Sequence, residues 1–172
     1  MLDLLMNRRS IRKYKDQEVP KEVIDKIIQG ALTAPSGRNK KPWELVVVTD
    51  REILTKLGNA RGPASWPMKN APLGIVVVAD PEVTDVWVED SSIIATVIQF
   101  TAQSLGLGSC WLQVRERLSE DGKKVEDNVK EILSIPQNYR VECMISIGYP
   151  DEEKTGHDIE TLKFDKVHYN KF

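Results

Sequence analysis

The stretch "EDSSIIATVIQFTAQSL", Glu89–Leu105, decides how the rest of the chain is read. At helical spacing its apolar residues Ile93, Ile94, Val97, Ile98, Phe100, Ala102 and Leu105 spread over most of the helix surface. A surface helix needs one apolar stripe, so a helix of this kind must be covered on several sides. The cover comes from its own domain or from a second subunit. Gly106 suits the stop at its C-terminus. On either side lie short apolar runs bounded by turn residues, Leu73–Ala79 ("LGIVVVA") before it and Ser109–Val114 ("SCWLQV") after it. Runs of that length and composition read as buried strands.

Further out, Trp43–Val48 reads as another buried strand, and Val141–Ile147 alternates Val141, Cys143, Ile145 and Ile147 as a fourth. Pro20 suits the first position of a helix carrying Val23, Ile24, Ile27, Ile28 and Ala31 on one face, with Pro35, Ser36 and Gly37 stopping it. Asp50 caps a short helix through Leu57 that ends at Gly58. Lys123–Leu133 repeats Val125, Val129, Ile132 and Leu133 as an amphipathic helix that Pro136 ends. Residues 59–72 contain three prolines and read as a loop, and residues 149–172 are polar, without periodicity or a core of their own. The sum is an α+β domain of about four strands spanning residues 1–172.

Composition narrows the function classes. The 172 residues fit one domain, and 41% apolar content is enough for a sizeable core. With 24 basic and 26 acidic residues there is no global field to recruit nucleic acid or a membrane, so any anion binding is local. Two cysteines, Cys110 and Cys143, without a CxxC pair, point to a reducing compartment and away from a disulfide framework or structural zinc. "MLDLLMN" does not read as a signal peptide, and the Arg8-Arg9 pair lacks the apolar segment of a twin-arginine signal. The longest apolar run, Leu73–Ala79, is far shorter than the ~20 residues of a membrane helix. The expectation is a soluble, cytoplasmic protein.

Positive charge is concentrated in "NRRSIRKY", Asn7–Tyr14. If the stretch is extended, Arg8, Ser10 and Arg12 share a face over roughly 13 Å. Two guanidinium forks flanking a hydroxyl suit a phosphate and a second anionic or carbonyl-rich group, though a solvated turn has the same composition. "APSGRNKKPW", Ala34–Trp43, offers free backbone groups, the Ser36 hydroxyl and the Asn39 amide, a set fitted to a heterocycle and equally to a plain turn. In "GLGSCW", Gly106–Trp111, glycines permit close approach of a flat ligand or simply end a helix.

Taken together and in this order, "RRSIRKY", "APSGRNKKPWELVVV" and "LGLGSCW" strongly resemble the nitroreductase family of FMN-dependent flavoproteins. "NAPLGIVVVAD" and "SIGYP" resemble its shorter, single-domain members, and the likeness spans Arg8 to about Gly148. The resemblance implies a nitroreductase-like α+β fold, with a mostly antiparallel sheet of four to five strands flanked by helices and a domain-swapped C-terminal tail. It implies a homodimer with one FMN at each end of the interface and a ping-pong cycle. NAD(P)H reduces the flavin and leaves, and a nitroaromatic, quinone or similar acceptor follows.

By the same resemblance Arg8, Arg9 and Ser10 would hold the FMN phosphate and ribityl end, and Arg12 would reach the N1/C2-carbonyl side of the ring. Pro35, Ser36, Gly37 and Asn39 would come from the partner subunit, and Leu107, Gly108 and Ser109 would lie on the N5 side. No catalytic side chain and no metal is implied, because the hydride chemistry belongs to the cofactor. Reduced flavin carries negative charge near N1, so a fixed cation there favours the reducing direction.

Two departures stand out. Lys41 occupies the place of a usual Gln, and "ETLKFDKVHYNKF" lacks the usual phosphate-clamping Arg, leaving Lys163 as a substitute. Trp66 and Trp87 are candidate wall residues of the acceptor site or plain packing. Relatives with this architecture also deiodinate, break down flavin or dehydrogenate. A flavin-binding sensor or carrier with little turnover is the alternative from another class. A basic-arm nucleic-acid binder is disfavoured, since the positive cluster lacks interleaved aromatics.

Overall fold

In the computed structural model, which describes residues 1–172, the four apolar runs form one antiparallel sheet. The strands are β1 (Trp43–Val48), β2 (Leu73–Ala79), β3 (Gly108–Gln113) and β4 (Arg140–Gly148), in the spatial order β1-β2-β4-β3. Every residue of β2 is buried, because both faces of the sheet carry helices. Side chains alternate across a strand. Leu73, Ile75 and Val77 thus join Ile145 and Ile147 in the core on one face, whereas Val76 and Val78 join Met144 and Leu112 on the other. A bulge between Val77 and Val78 shifts the β2–β4 register.

The first core is closed by α2 (Lys21–Leu32) through Ile27 and Ala31 and by α5 (Trp87–Ser104) through Ile94, Ala95, Ile98 and Ala102. The second is closed by Leu54 and Leu57 of α3 (Arg51–Asn59), Met68 of α4 (Pro67–Asn70), and Val125 and Val129 of α6 (Val125–Leu133). A further helix, α1 (Leu2–Asn7), precedes the charged stretch. No helix is long and apolar enough to cross a membrane.

The reading of residues 59–72 as a loop is corrected by a 3-10 turn at Pro63–Ser65 and by α4, which starts on Pro67. Gly58 likewise does not stop α3, which runs on to Asn59. A Cβ on Gly58 would lie 2.6 Å from the Lys69 side chain, and one on Gly74 would lie 2.6 Å from Met68 Sδ. Both glycines make room for α4, so their role is close approach rather than punctuation.

Within the single chain α5 keeps an uncovered stripe. Ile93 is exposed, and Val97, Phe100 and Leu105 are only partly covered. Residues 149–157 run beside the N-terminal stretch: Lys15 N–H donates to the Tyr149 carbonyl (2.9 Å), Asp151 N–H to that of Lys13 (3.0 Å), and His157 N–H to that of Met6 (2.7 Å). From Asp158 onward every hydrogen bond is local. That arm exposes Ile159, Phe164, Val167 and Tyr169, the last of these by 84%.

Candidate functional site

The charged stretch leaves α1 at Arg8, whose backbone is extended (φ −68°, ψ 122°). It runs alongside the start of β3. Ser10 bridges Ser109 in parallel, and Ile11 N–H donates to the Ser109 carbonyl at 3.0 Å. A Cβ on Gly108 would stand 2.7 Å from Ile11 Cβ, so glycine is what lets the two segments touch. The first and third sequence motifs are thereby joined within one chain.

Alternation along the extended backbone divides this stretch. Asn7, Arg9 and Ile11 line a cleft of about 240 Å³ with Gln103 and Gly106–Ser109. The Arg9 guanidinium donates to the Thr155 carbonyl, which fastens the stretch to the chain's C-terminal segment. Arg8, Ser10 and Arg12 are the other set, and they act on Cys110. Burial pushes that thiol up, while the Arg12 charge, the Ser10 hydroxyl and the Arg8 charge pull against it. None of the three guanidiniums pairs with a carboxylate. The Arg12 guanidinium makes one long bond, to the Ser10 carbonyl (3.5 Å), so the charges of Arg8 and Arg12 are not neutralised within the chain.

Glu152 is a residue that sequence reading missed. Its Oε1 accepts the backbone N–H of Arg12 (2.6 Å) and of Lys13 (3.2 Å), and Lys154 lies 2.9 Å from its Oε2. The Arg12 N–H is the main cause holding its carboxyl below the ordinary 4.5. Since the folded value is the lower one, the tie is at full strength above that ordinary value and is lost as pH falls through the folded one. Glu152→Gln should reduce amide-exchange protection at Arg12 and Lys13 at neutral pH. Wild-type protection should fall toward the variant's in acid below 4.5. Equal protection at neutral pH would show that the carboxylate does not hold this backbone.

The second motif lies elsewhere. Ala34 is buried, whereas Pro35 and Arg38–Lys41 are exposed. Ser36 Oγ accepts the Lys41 N–H (2.9 Å), and Gly37–Asn39 form one 3-10 turn. Gly37 N–H donates to Asp90 Oδ1 at 2.8 Å, which seats the loop on the N-terminal end of α5. The first and third motifs are instead held toward the other end of α5. Gln99 Nε2 reaches Ser109 Oγ (3.5 Å), and Gln103 Nε2 donates to the Leu4 carbonyl (3.1 Å). At ~1.5 Å per residue, Asp90 and Gln103 are roughly 20 Å apart along the helix. Leu107 and Ser109 thus share a place with Ser10 in one chain, and Ser36 and Asn39 do not.

The two tryptophans divide. Trp87 is half-buried at the start of α5, with Arg115 and Arg140 stacked on it at 5.8 and 5.6 Å. Those contacts are packing. Trp66 is exposed, with Lys69 Nζ at 4.5 Å. Lys163 lies in the exposed arm, and no group of three His, Cys, Asp or Glu side chains comes together as metal ligands. What the geometry offers is two guanidiniums without carboxylate partners, Arg8 and Arg12, beside the start of β3.

Comparison with known proteins gives a consistent picture. Residues 5–62 and 59–149 match the Nitroreductase family. A protein of Archaeoglobus fulgidus named as an NADH dehydrogenase/NAD(P)H nitroreductase is 38% identical over 176 residues, 99% of this chain and 98% of that one. Among solved structures, an FMN-dependent nitroreductase from Clostridium difficile R20291 superposes with a TM-score of 0.97 at 50% identity, covering 100% of both chains. One from Parabacteroides distasonis, named like the Archaeoglobus protein, superposes at 0.90 with 31% identity, covering 99% of this chain and 98% of the other.

Proposed function

The chain belongs to the nitroreductase family, an oxidoreductase with FMN as cofactor and NAD(P)H as co-substrate, and from that premise we propose how its residues serve the reaction. The acceptor is a nitroaromatic, a quinone or a related small molecule, and donor and acceptor take turns over one flavin. When bound, FMN supplies the hydride chemistry and the protein supplies binding and polarity. The whole chain acts as one domain, and its two free, buried cysteines suit a reducing compartment such as the cytoplasm.

The residues present fit FMN. Arg8 and Ser10 offer an unpaired guanidinium and a hydroxyl for the phosphate and ribityl end, and Arg12 places a fixed positive charge further along the same face. Leu107, Gly108 and Ser109 lie beside Ser10, with Gly108 letting Ile11 pack directly on the strand start and so holding the two motifs together. Arg9, engaged with the Thr155 carbonyl, anchors the C-terminal segment and leaves the phosphate to its neighbours.

The observation that carries the reading is the separation along α5, roughly 14 Å, between Asp90, which holds the Ser36–Asn39 loop, and Gln99, which reaches Ser109 at the junction with Ser10. A two-fold pairing through the uncovered stripe of Ile93, Val97 and Phe100 supplies Pro35, Ser36, Gly37 and Asn39 from the second subunit. In this arrangement the arm from Asp158 crosses onto the partner. Lys41 stands exposed near that loop as a cation where the family uses Gln, and Lys163 on the arm takes the part of the missing Arg.

The test is kinetic. Double-reciprocal plots at several acceptor concentrations should give parallel lines, and extracted cofactor should have the mass of FMN. Intersecting lines would mean that donor and acceptor bind together, against the single shared position. Rapid bleaching by NAD(P)H that no acceptor reverses would favour the sensor or carrier.

A further inference from the structure

We propose that Asp90 is the residue that positions the Ser36–Lys41 loop over the flavin of the other subunit; the inference rests on the shared-site reading above. An acid in the first turn of a long helix is ordinarily explained by the helix dipole alone, at the surface. Asp90 is only 2% exposed, at the start of an 18-residue helix. Its Oδ1 takes the Gly37 N–H at 2.8 Å, and its Oδ2 is buried without a partner. A buried carboxylate with one oxygen unmatched is a poor choice for stability alone.

The loop it holds is conformationally unfavourable. Arg38, Asn39 and Lys41 have φ of 52°, 57° and 48°, left-handed values that L-residues other than glycine rarely adopt. Besides the loop's own backbone bonds, Asn39 N–H to the Ser36 carbonyl (3.0 Å) and Lys40 N–H to that of Gly37 (3.1 Å), three side-chain ties oppose relaxation. The Ser36 Oγ–Lys41 N bond is internal to the loop, and the Lys40 Nζ–Val83 carbonyl bond (3.0 Å) depends on a flexible, exposed side chain. Only the Asp90–Gly37 bond joins the loop to buried structure. A Cβ on Gly37 would come within 2.8 Å of the Val86 side chain, so the loop backbone rests directly on the start of α5. The same helix holds Ser109 and Leu4 through Gln99 and Gln103. It therefore ties the loop that serves one site to the junction that serves the other, with Asp90 at the loop end.

The experiment is trans-complementation of FMN binding. Subunits carrying different tags are co-expressed, heterodimers are purified, stripped of flavin and titrated with FMN by fluorescence. The Asp90→Ala homodimer should stay dimeric and bind FMN about tenfold more weakly, as for loss of a hydrogen bond to a charged group. Asp90→Asn, which retains an acceptor for Gly37, should lose less. In a heterodimer of Asp90→Ala with Arg8→Ala, one site draws Arg8 from the first subunit and an intact loop from the second. That heterodimer should bind one FMN with wild-type affinity, whereas a general weakening of the fold or interface would impair both sites.

Two weak sites, or wild-type affinity in both Asp90 homodimers, would overturn the proposal. A heterodimer of Ser36→Ala/Asn39→Ala with Arg8→Ala separates the premises. If it regains one tight site and the Asp90 heterodimer does not, Asp90 fails and the shared site stands. If it does not, the shared site fails first.

Discussion

Removing residues 158–172 is expected to yield a monomer that retains its core and holds no FMN. The cut falls where the chain stops bonding to itself. His157 N–H still donates to the Met6 carbonyl, and past it only local turns remain. The two cores and the sheet contain nothing from the arm, so far-ultraviolet circular dichroism should change little. The arm nevertheless carries Ile159, Leu162, Phe164, Val167 and Tyr169, all exposed in a single chain. Each would contribute about 1.5–3 kcal/mol if fully covered, so together they can shift a dimer equilibrium by several orders of magnitude. With Ile93 and Phe100 of α5, they would supply the material of the proposed dimer interface, expected to be obligate and above ~2,000 Å². Because Ser36 and Asn39 come from the other subunit in this reading, the monomer should lose flavin as it loses its partner. Sedimentation of both forms with absorbance followed in the flavin band decides the matter. A yellow, flavin-loaded monomer would refute the shared site.

Much of this was legible in the residues, and the misses have physical causes. The apolar run of β2 and the all-round apolar helix α5 announced themselves because burial on two faces removes the usual alternation. The extended reading of Arg8, Ser10 and Arg12 as one face follows from strand geometry, and the structure separates Arg9 from them by that same rule. Gly58 misled because a helix stop and a close helix crossing require the same missing Cβ, and only the neighbour, Lys69, tells them apart. Residues 63–70 misled because proline opens a helix as readily as it marks a loop. Glu152 and Asp90 were invisible for another reason. Each accepts backbone N–H groups from segments far away in sequence, and a backbone N–H leaves no trace in the residue types. The arm's apolar residues lack a period because they do not pack within an element of their own.

Arg8→Ala and Arg12→Ala should each weaken FMN binding by about 1.5–3 kcal/mol, a factor of roughly ten to a hundred in Kd. Neither guanidinium pairs with a carboxylate, so truncation strands no buried acid and the loss is read almost wholly in the ligand. Arg9→Ala serves as the comparison, since that side chain is occupied with Thr155 and should have a smaller effect on affinity. The two principal variants should also differ from each other. In the proposed arrangement Arg8 serves the phosphate end, and its loss should leave the potential of any bound flavin nearly unchanged. Arg12 is held in place by Glu152 through its own backbone N–H, and in the proposed arrangement it serves the ring end of the same face. Reduced flavin gathers negative charge at N1, so loss of the Arg12 charge should shift the potential downward and slow reduction by NAD(P)H. Titration of apoprotein with FMN, paired with a redox titration of the saturated variants, separates the two effects. Equal potentials would place Arg12 away from N1, and unchanged affinity in both variants would leave "NRRSIRKY" as no more than a solvated turn.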